Sequence, residues 1–429
     1  MADKPHRHAP PASPPGSWTR RALVRSGALA LLSAGLPPAF LSRLALAAPT
    51  DPQGPVLVPI FLRGAMDALA AVSPLDDPHL AKVRPNLSLR STGGEHRLVE
   101  LDDRMGLHPA LSPLLPLWGE GRLAVVHGVG SPDSTRSHFD AQDFMETGTP
   151  GLRSTRSGWL NRVLERAPGV DSPLRAVAMA LDLPRSLAGR AQALAIEDLE
   201  AVQLHLAQGS VPAARLGRDL ALLYDRDAPA DLQARSRELR DLLGLLSQEE
   251  VERYRRQRAT RYPDTALGRS LMQVAFLIKA RVGLQVAAVD HEGWDTHVAQ
   301  GGGAGRFARQ ADELARAIRA FWDDLEGHHH EVVVLTMTEF GRTVAENGSG
   351  GTDHGHGSCL FLLGDRVAGG RVHGTLPPLA PENLFEGRDL PVTTDFRSVF
   401  AELAAKLFGV EADSALFPGW SGSRSRLLL

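Results

Sequence analysis

The strongest constraint on how this chain folds is the alternation of short, nearly unbroken apolar runs with longer amphipathic stretches. The runs at 56–62, 123–129, 176–181, 284–289, 332–337 and 360–363 have the length of strands and carry almost no polar residue. Such continuity belongs to strands covered on both faces, because a strand with one wet face alternates apolar and polar residues. Between them, 109–117, 159–166, 266–281, 306–325 and 395–408 read as helices. The last two place apolar residues three and four apart, and Asp395 after Thr393-Thr394 stands where a helix cap belongs. Strand and helix in turn predict an α/β fold: a three-layer α/β/α sandwich around a mostly parallel central sheet.

One stretch breaks the alternation. Residues 197–262 show helical patterning rich in arginine and carboxylate, as in Ala234-Arg235-Ser236-Arg237-Glu238-Leu239-Arg240, and are expected to form a helical insertion without strands. The chain has 429 residues, 43% of them hydrophobic, enough to bury a large core. A net charge of only -3 argues against nucleic acid as a partner.

The N-terminus reads as an address. Thr19-Arg20-Arg21-Ala22-Leu23-Val24-Arg25 precedes an uncharged stretch over 26–42, broken by Pro37-Pro38, and then Ala45-Leu46-Ala47-Ala48 offers a small-x-small cleavage site. Residues 1–48 therefore resemble a twin-arginine signal peptide with a polar tail, and 49–429 are the mature α/β domain. The expected partner during export is the twin-arginine translocase, and the expected location is the periplasm or the extracellular space. The apolar stretch is too short and too proline-rich to span a bilayer, so no stable membrane span is expected in the mature protein. Cys359 is the single cysteine, which excludes an internal disulfide; inside Cys359-Leu360-Phe361-Leu362-Leu363 it reads as a small buried hydrophobe.

Chemistry concentrates over 290–357. Asp290-His291-Glu292-Gly293-Trp294-Asp295-Thr296-His297, Thr338-Glu339-Phe340-Gly341-Arg342 and Gly351-Thr352-Asp353-His354-Gly355-His356-Gly357 supply carboxylates and imidazoles, the ligands that borderline-hard divalent metals take. In open α/β sheets ligands bind beyond the carboxyl ends of the strands, and Asp67, Asp295, His297 and Glu339 each follow a strand-like run. Asp295 with His297, and His354 with His356, are two apart, so each pair projects to one side of an extended loop. A lone aspartate at a strand end, such as Asp67, is more often a helix cap or turn former than a ligand. His328-His329-His330 precedes a strand and is expected at the opposite edge, as a solvated loop.

These motifs, with Leu62-Arg63-Gly64-x-x-Asp67, Leu107-His108-Pro109-Ala110-Leu111, Gly158-Trp159-Leu160 and Thr135-Arg136-Ser137-His138-Phe139-Asp140-Ala141-Gln142-Asp143, resemble the bacterial family called domain of unknown function 1501, over roughly residues 55–420. That family is similar in overall pattern to the alkaline phosphatase and sulfatase superfamily. The resemblance implies an alkaline phosphatase-like domain with a divalent metal, zinc among the candidates, held by Asp67, Asp295, His297 and either His354 or His356. Glu339-Phe340 stands where the superfamily commonly has Asp-His, so one ion is easier to defend than two, with Glu339 as ligand or base. The resemblance also implies a hydroxyl nucleophile at a helix start, for which Ser137, Thr135 and Ser131 qualify, while Arg136 and Arg63 are candidates for binding an anionic oxygen group or for pairing with surface carboxylates. The cysteine that sulfatases modify is absent there, and no Gly-x-Ser-x-Gly elbow occurs. The expected function is an exported metal-dependent hydrolase of phosphate, sulfate or related esters, acting on a small-molecule or polymer substrate. The alternative is a catalytically silent envelope or binding protein that keeps the fold with a reduced site.

Overall fold

The computed structural model describes residues 54–93, 96–168, 172, 174–199, 204–206, 209–211 and 248–429. Its centre is a nine-stranded sheet. The strands are β1 (Val56–Leu62), β2 (Leu123–Gly130), β3 (Ala176–Ala178), β4 (Leu194–Ala195), β5 (Val286–His291), β6 (Val332–Met337), β7 (Ser358–Leu363) and β8 (Arg371–Gly374), with the short Thr394–Asp395 added beside β2. The spatial order is β8-β2-β7-β6-β1-β5-β3-β4. β1 pairs in parallel with both β5 and β6, and β3 and β4 continue in the same sense. Only β7 runs against its neighbours, antiparallel to β6 on one side and β2 on the other. The mixed α/β fold with a central, mostly parallel sheet flanked by helices is the one expected.

Both sheet faces are covered, which is why the strands are apolar throughout. Val56, Val58, Ile60 and Leu62 face one core with Leu271 of α3 (Ala266–Lys279) and Leu314 and Phe321 of α4 (Arg306–Asp324). Leu57 and Phe61 face the other, with Trp159 of α2 (Trp159–Arg166) and Phe400 of α5 (Phe396–Phe408). The period of two along β1 thus splits its side chains between two layers. α4 buries Phe307, Ala311, Leu314, Ile318 and Phe321 at helical spacing, each large side chain contributing about 1.5–3 kcal/mol on leaving water. Asp395 caps α5 through the amide of Arg397 at 2.9 Å, and Gly409 ends that helix in the left-handed region.

Some expectations shift. The fifth strand runs on through Asp290 and His291, which pair with Phe61 and Leu62 rather than opening a loop. Residues 109–117 divide into a 3₁₀ turn, Pro109–Leu114, and a short helix, Leu115–Gly119. The region expected to lack strands contains an antiparallel pair, Leu204–Leu206 with Gly209–Val211, before the helix Gln248–Gln257; within that reading 200–203, 207–208 and 212–247 lie outside the described residues. So does the signal-like segment 1–48. Among the described residues no helix is long and apolar enough to cross a membrane. The three histidines at 328–330 precede β6, but His329 is not free in solvent: it stacks on Trp322 at 4.2 Å and its Nε2 donates to the Trp322 carbonyl at 2.7 Å. Cys359 is buried, and burial pushes its thiol pKa far up.

Candidate metal centre

The parallel strands deliver their carboxyl ends to one edge, and the reversed β7 delivers its amino end there too. Loops after β1, β2, β5 and β6 therefore meet the loop that precedes β7. Two close approaches make this meeting permissible. Gly64 has φ +112°, and a Cβ on it would lie 2.4 Å from the amide of Asp295; a Cβ on Gly355 would lie 2.4 Å from the carbonyl carbon of Arg342. Arg342 then ties the loops together. Its buried guanidinium donates to the carbonyls of Ala65 (2.8 Å), Thr352 (3.0 Å) and Gly64, and to Oδ1 of Asp295.

Around Asp295 stand three imidazoles. His138 opens α1 (His138–Thr147), directly after β2; His297 lies in the loop after β5; His354 lies before β7. Nε2 of His354 is 2.9 Å from Nε2 of His138 and 2.8 Å from Nε2 of His297. Oδ1 of Asp295 is 3.7, 3.1 and 3.5 Å from Nε2 of His138, His297 and His354.

What matters is which nitrogen of each ring is spoken for. Nδ1 of His138 meets Oε1 of Glu339 at 2.8 Å, Nδ1 of His297 meets Oδ1 of Asp353 at 3.1 Å, and Nδ1 of His354 meets the Arg136 carbonyl at 2.9 Å. All three partners are oxygen acceptors, so each Nδ1 carries the proton and each Nε2 is left with a lone pair. Three lone pairs and a carboxylate oxygen thus converge with no donor among them but Arg342. Bonds of about 2.0–2.1 Å in a tetrahedral zinc site would place ligand atoms about 3.3 Å apart. The ligand atoms of His138, Asp295 and His354 all lie within 4.8 Å of one another and could hold a single divalent ion. Nε2 of His297 stands beside this group, close to His354 and Asp295.

Electrostatics agree with that donor set. Burial works against the charge on Asp295, but the Arg342 guanidinium and the neighbouring imidazoles hold its carboxyl below the ordinary range. Burial pushes the pKa of His354 down, reinforced by His138, Arg342 and His297, so the ring is held neutral as a ligand must be. Glu339 is fully buried, and burial disfavours its charge, yet hydrogen bonds from His138, Gln142 and backbone amides bring its pKa below the usual value. It stands behind His138 rather than facing the ion, the arrangement by which outer carboxylates orient metal-binding imidazoles.

The other expected site residues are not among these ligands. Asp67, expected as a ligand, is 1% exposed and saturated: Oδ1 caps the amides of Leu69 (3.1 Å) and Ala70 (3.3 Å), and Oδ2 takes Arg84 and Gln300, both at 2.7 Å. No lone pair is left for an ion. Of the two late histidines, His354 is in the cluster; His356 is buried against Phe385, ring centroids 4.4 Å apart. Arg136 does not offer its guanidinium to an anion, because Asp389 (2.7 Å) and Glu386 (2.6 Å) hold it. Thr135 accepts the amide of Ser137 at 3.3 Å, and Ser137 itself caps α1 without a side-chain bond to the helix. Glu339, expected as ligand or base, is occupied by three donors on Oε1 alone.

His138 is the residue that sequence reasoning passed over. It sat inside a quoted motif, one place beyond the hydroxyls weighed as nucleophiles, at the start of a helix following a strand that ends at the functional edge.

A family model described as "Protein of unknown function (DUF1501)" matches residues 96–416. The chain belongs to this family. No curated protein matches this DUF1501 chain. Among solved structures it is similar to the C-terminal periplasmic domain of EcEptC from Escherichia coli, in complex with Zn, at 10% identity over 73% of each chain with a TM-score of 0.34. It is also similar to a protein in the alkaline phosphatase superfamily from Vibrio parahaemolyticus, at 10% identity over 83% of this chain and 74% of that one, TM-score 0.33. A third is the lipoteichoic acid synthase LtaP from Listeria monocytogenes, at 9% identity over 76% and 67%, TM-score 0.31. Likenesses this distant carry no chemistry over to this chain.

Proposed function

We propose that this DUF1501 protein is an exported, metal-dependent hydrolase of phosphate, sulfate or related esters, using one divalent ion. The observation that carries the reading is the convergence of three imidazole Nε2 atoms and Asp295 Oδ1, each ring locked from behind by an oxygen at Nδ1. His138, His297, His354 and Asp295 would hold the ion, and three imidazoles with a carboxylate suit zinc better than magnesium or calcium. A bound ion supplies Lewis-acid charge to the ester's oxygens.

This chain's own residues supply the rest. Glu339 keeps the Nδ1 proton of His138 in place, and Arg342 orients Asp295. The N-terminus of α1 adds partial positive charge beside the centre, where an anionic group would sit. Ser137 at that terminus has a hydroxyl with no capping bond and is the preferred nucleophile over Thr135. Export by the twin-arginine route rests on Arg20-Arg21 and the 26–48 segment, and suits a protein that acquires its ion before leaving the cytoplasm.

The test is metal analysis of the purified protein together with assays on an aryl phosphate, a phosphodiester and a sulfate ester, with Asp295→Ala as control. One ion per chain and turnover lost in the variant are expected. An ion without turnover on any ester would favour the catalytically silent reading; no ion at all would remove the metal centre.

A further inference from the structure

The centre has a support that reaches far beyond its ligands, along one face of α1. His138, Gln142 and Glu146 are spaced four apart, so they stack on the same side of the helix. Gln142 Nε2 donates to Glu339 Oε1 at 2.9 Å, joining His138 and the amide of Gly64 on the same oxygen. On its other side Gln142 Oε1 accepts from Nη1 of Arg63 at 3.0 Å.

The orientation of this amide is chemically forced. A guanidinium has donors only and a carboxylate acceptors only, so the amide oxygen must face Arg63 and the amide nitrogen Glu339. The reverse flip would set two like groups against each other at both ends. Arg63 cannot turn away, because Nε is held by Asp290 at 2.8 Å, Nη2 by Glu146 at 2.9 Å, and its face lies over Phe61 at 4.4 Å. Glu146 is in turn fixed by the amide of Ser186 at 2.8 Å.

We propose that Gln142 is a positioning residue for the metal centre. Oriented by Arg63, it supplies a hydrogen bond that keeps the buried Glu339 carboxylate aimed at Nδ1 of His138, and so keeps the His138 Nε2 lone pair turned toward the ion. The proposal rests on the metal reading above and deepens it: affinity depends on a residue that touches neither ion nor ligand.

The test is zinc binding by the metal-free full chain, measured by competition with a chromophoric chelator, for the wild type, Gln142→Met and Gln142→Glu. Met keeps the length and removes the donor; Glu keeps the shape and the Arg63 contact but sets an acceptor against Glu339. Loss of an outer-shell partner typically costs 10–100-fold in metal affinity, and both variants are expected to bind zinc about 10–100-fold more weakly. Visible spectra of the cobalt-loaded proteins should also change, which a purely structural role for Gln142 would not cause, and Asp143→Asn on the same helix should leave affinity and spectrum unchanged. Should Gln142→Met fail to fold, as judged by its melting transition, Gln142→Glu decides alone. Wild-type affinity in a folded variant overturns the positioning role and leaves the metal centre standing. Failure of the wild type to bind zinc or cobalt overturns the metal reading itself.

Discussion

Asp67 and Asp295 follow neighbouring parallel strands at the same sheet edge, and by residue type and position they are equivalent ligand candidates. Their surroundings separate them. Asp67 is met only by donors: two helix amides, a guanidinium and a side-chain amide. Asp295 shares its space with three imidazole nitrogens whose protons point the other way. A carboxylate met only by donors has no lone pair left for an ion, whereas Asp295, oriented by Arg342, also faces imidazole lone pairs with which it can share one. The contrast between these pockets is the basis on which the centre is assigned.

The largest effect expected from breaking that contrast is on stability. Asp67→Ala leaves Arg84, 1% exposed, as an unpaired buried charge, and loss of one partner from such a pair costs about 3–5 kcal/mol. Chemical denaturation should show that loss. Any fraction of the variant that folds should still bind zinc; loss of zinc affinity in a folded Asp67→Ala protein would erase the distinction between the two pockets.

A second effect sharpens the Asp67 side. His127 on β2 is fully buried, its Nε2 donating to the Val72 carbonyl at 3.0 Å and its Nδ1 accepting from Gly128. Burial lowers its pKa to about 4, with the Val72 hydrogen bond and Asp67 opposing. The unfolded imidazole titrates near 6.5, so below that pH the unfolded state binds the extra proton first. Stability is therefore full above about pH 6.5 and falls as the pH drops toward 4, by about 3 kcal/mol for this group at 1.36 kcal/mol per unit. Denaturation from pH 8 to 4 should show that step and His127→Gln should lack it; equal pH dependence in both proteins would refute the assignment.

On the other side of the comparison the expected stability effects are smaller and the metal effects large. Asp295 is the carboxylate partner of the fully buried Arg342, but its own side chain is 47% exposed, so water can partly take its place; its Ala variant should lose less stability than Asp67→Ala while losing measurable zinc binding. His138→Ala and His297→Ala should each weaken zinc binding by more than the ~10–100-fold expected of a supporting partner. The smallest effect belongs to His356→Ala, which removes a ring packed on Phe385 and should leave zinc affinity unchanged. Isothermal titration across this series ranks the residues, and an effect of His356→Ala equal to that of His138→Ala would place the ion elsewhere.

Much of the scaffold was legible in the sequence because burial on both faces writes itself as unbroken apolar runs. β1 and β6 have the bounds read from their composition alone. The site was half legible. Asp295, His297 and His354 follow from ligand chemistry beside strand ends, but two facts that decide the geometry leave no local trace. Nothing near Ser358 announces that β7 is reversed, although that reversal is what brings His354, which precedes its strand, to the edge where the others follow theirs. Nothing near Asp67 announces Arg84 and Gln300, partners 17 and 233 residues away. His138 was hidden differently: it stands on a helix, and periodicity marks a helical face without saying what it meets. The spacing of His138, Gln142 and Glu146 carries meaning only once Glu339 and Arg63 are known to lie opposite.

The central claim is that one ion sits among His138, His297, His354 and Asp295. Anomalous diffraction at the zinc edge, from crystals of the zinc-loaded full chain, tests it most directly. A single peak about 2.0–2.1 Å from Nε2 of each histidine and a comparable distance from a carboxylate oxygen of Asp295 is the predicted result. A peak beside Asp67 or His356, or none at all at the cluster, would contradict it.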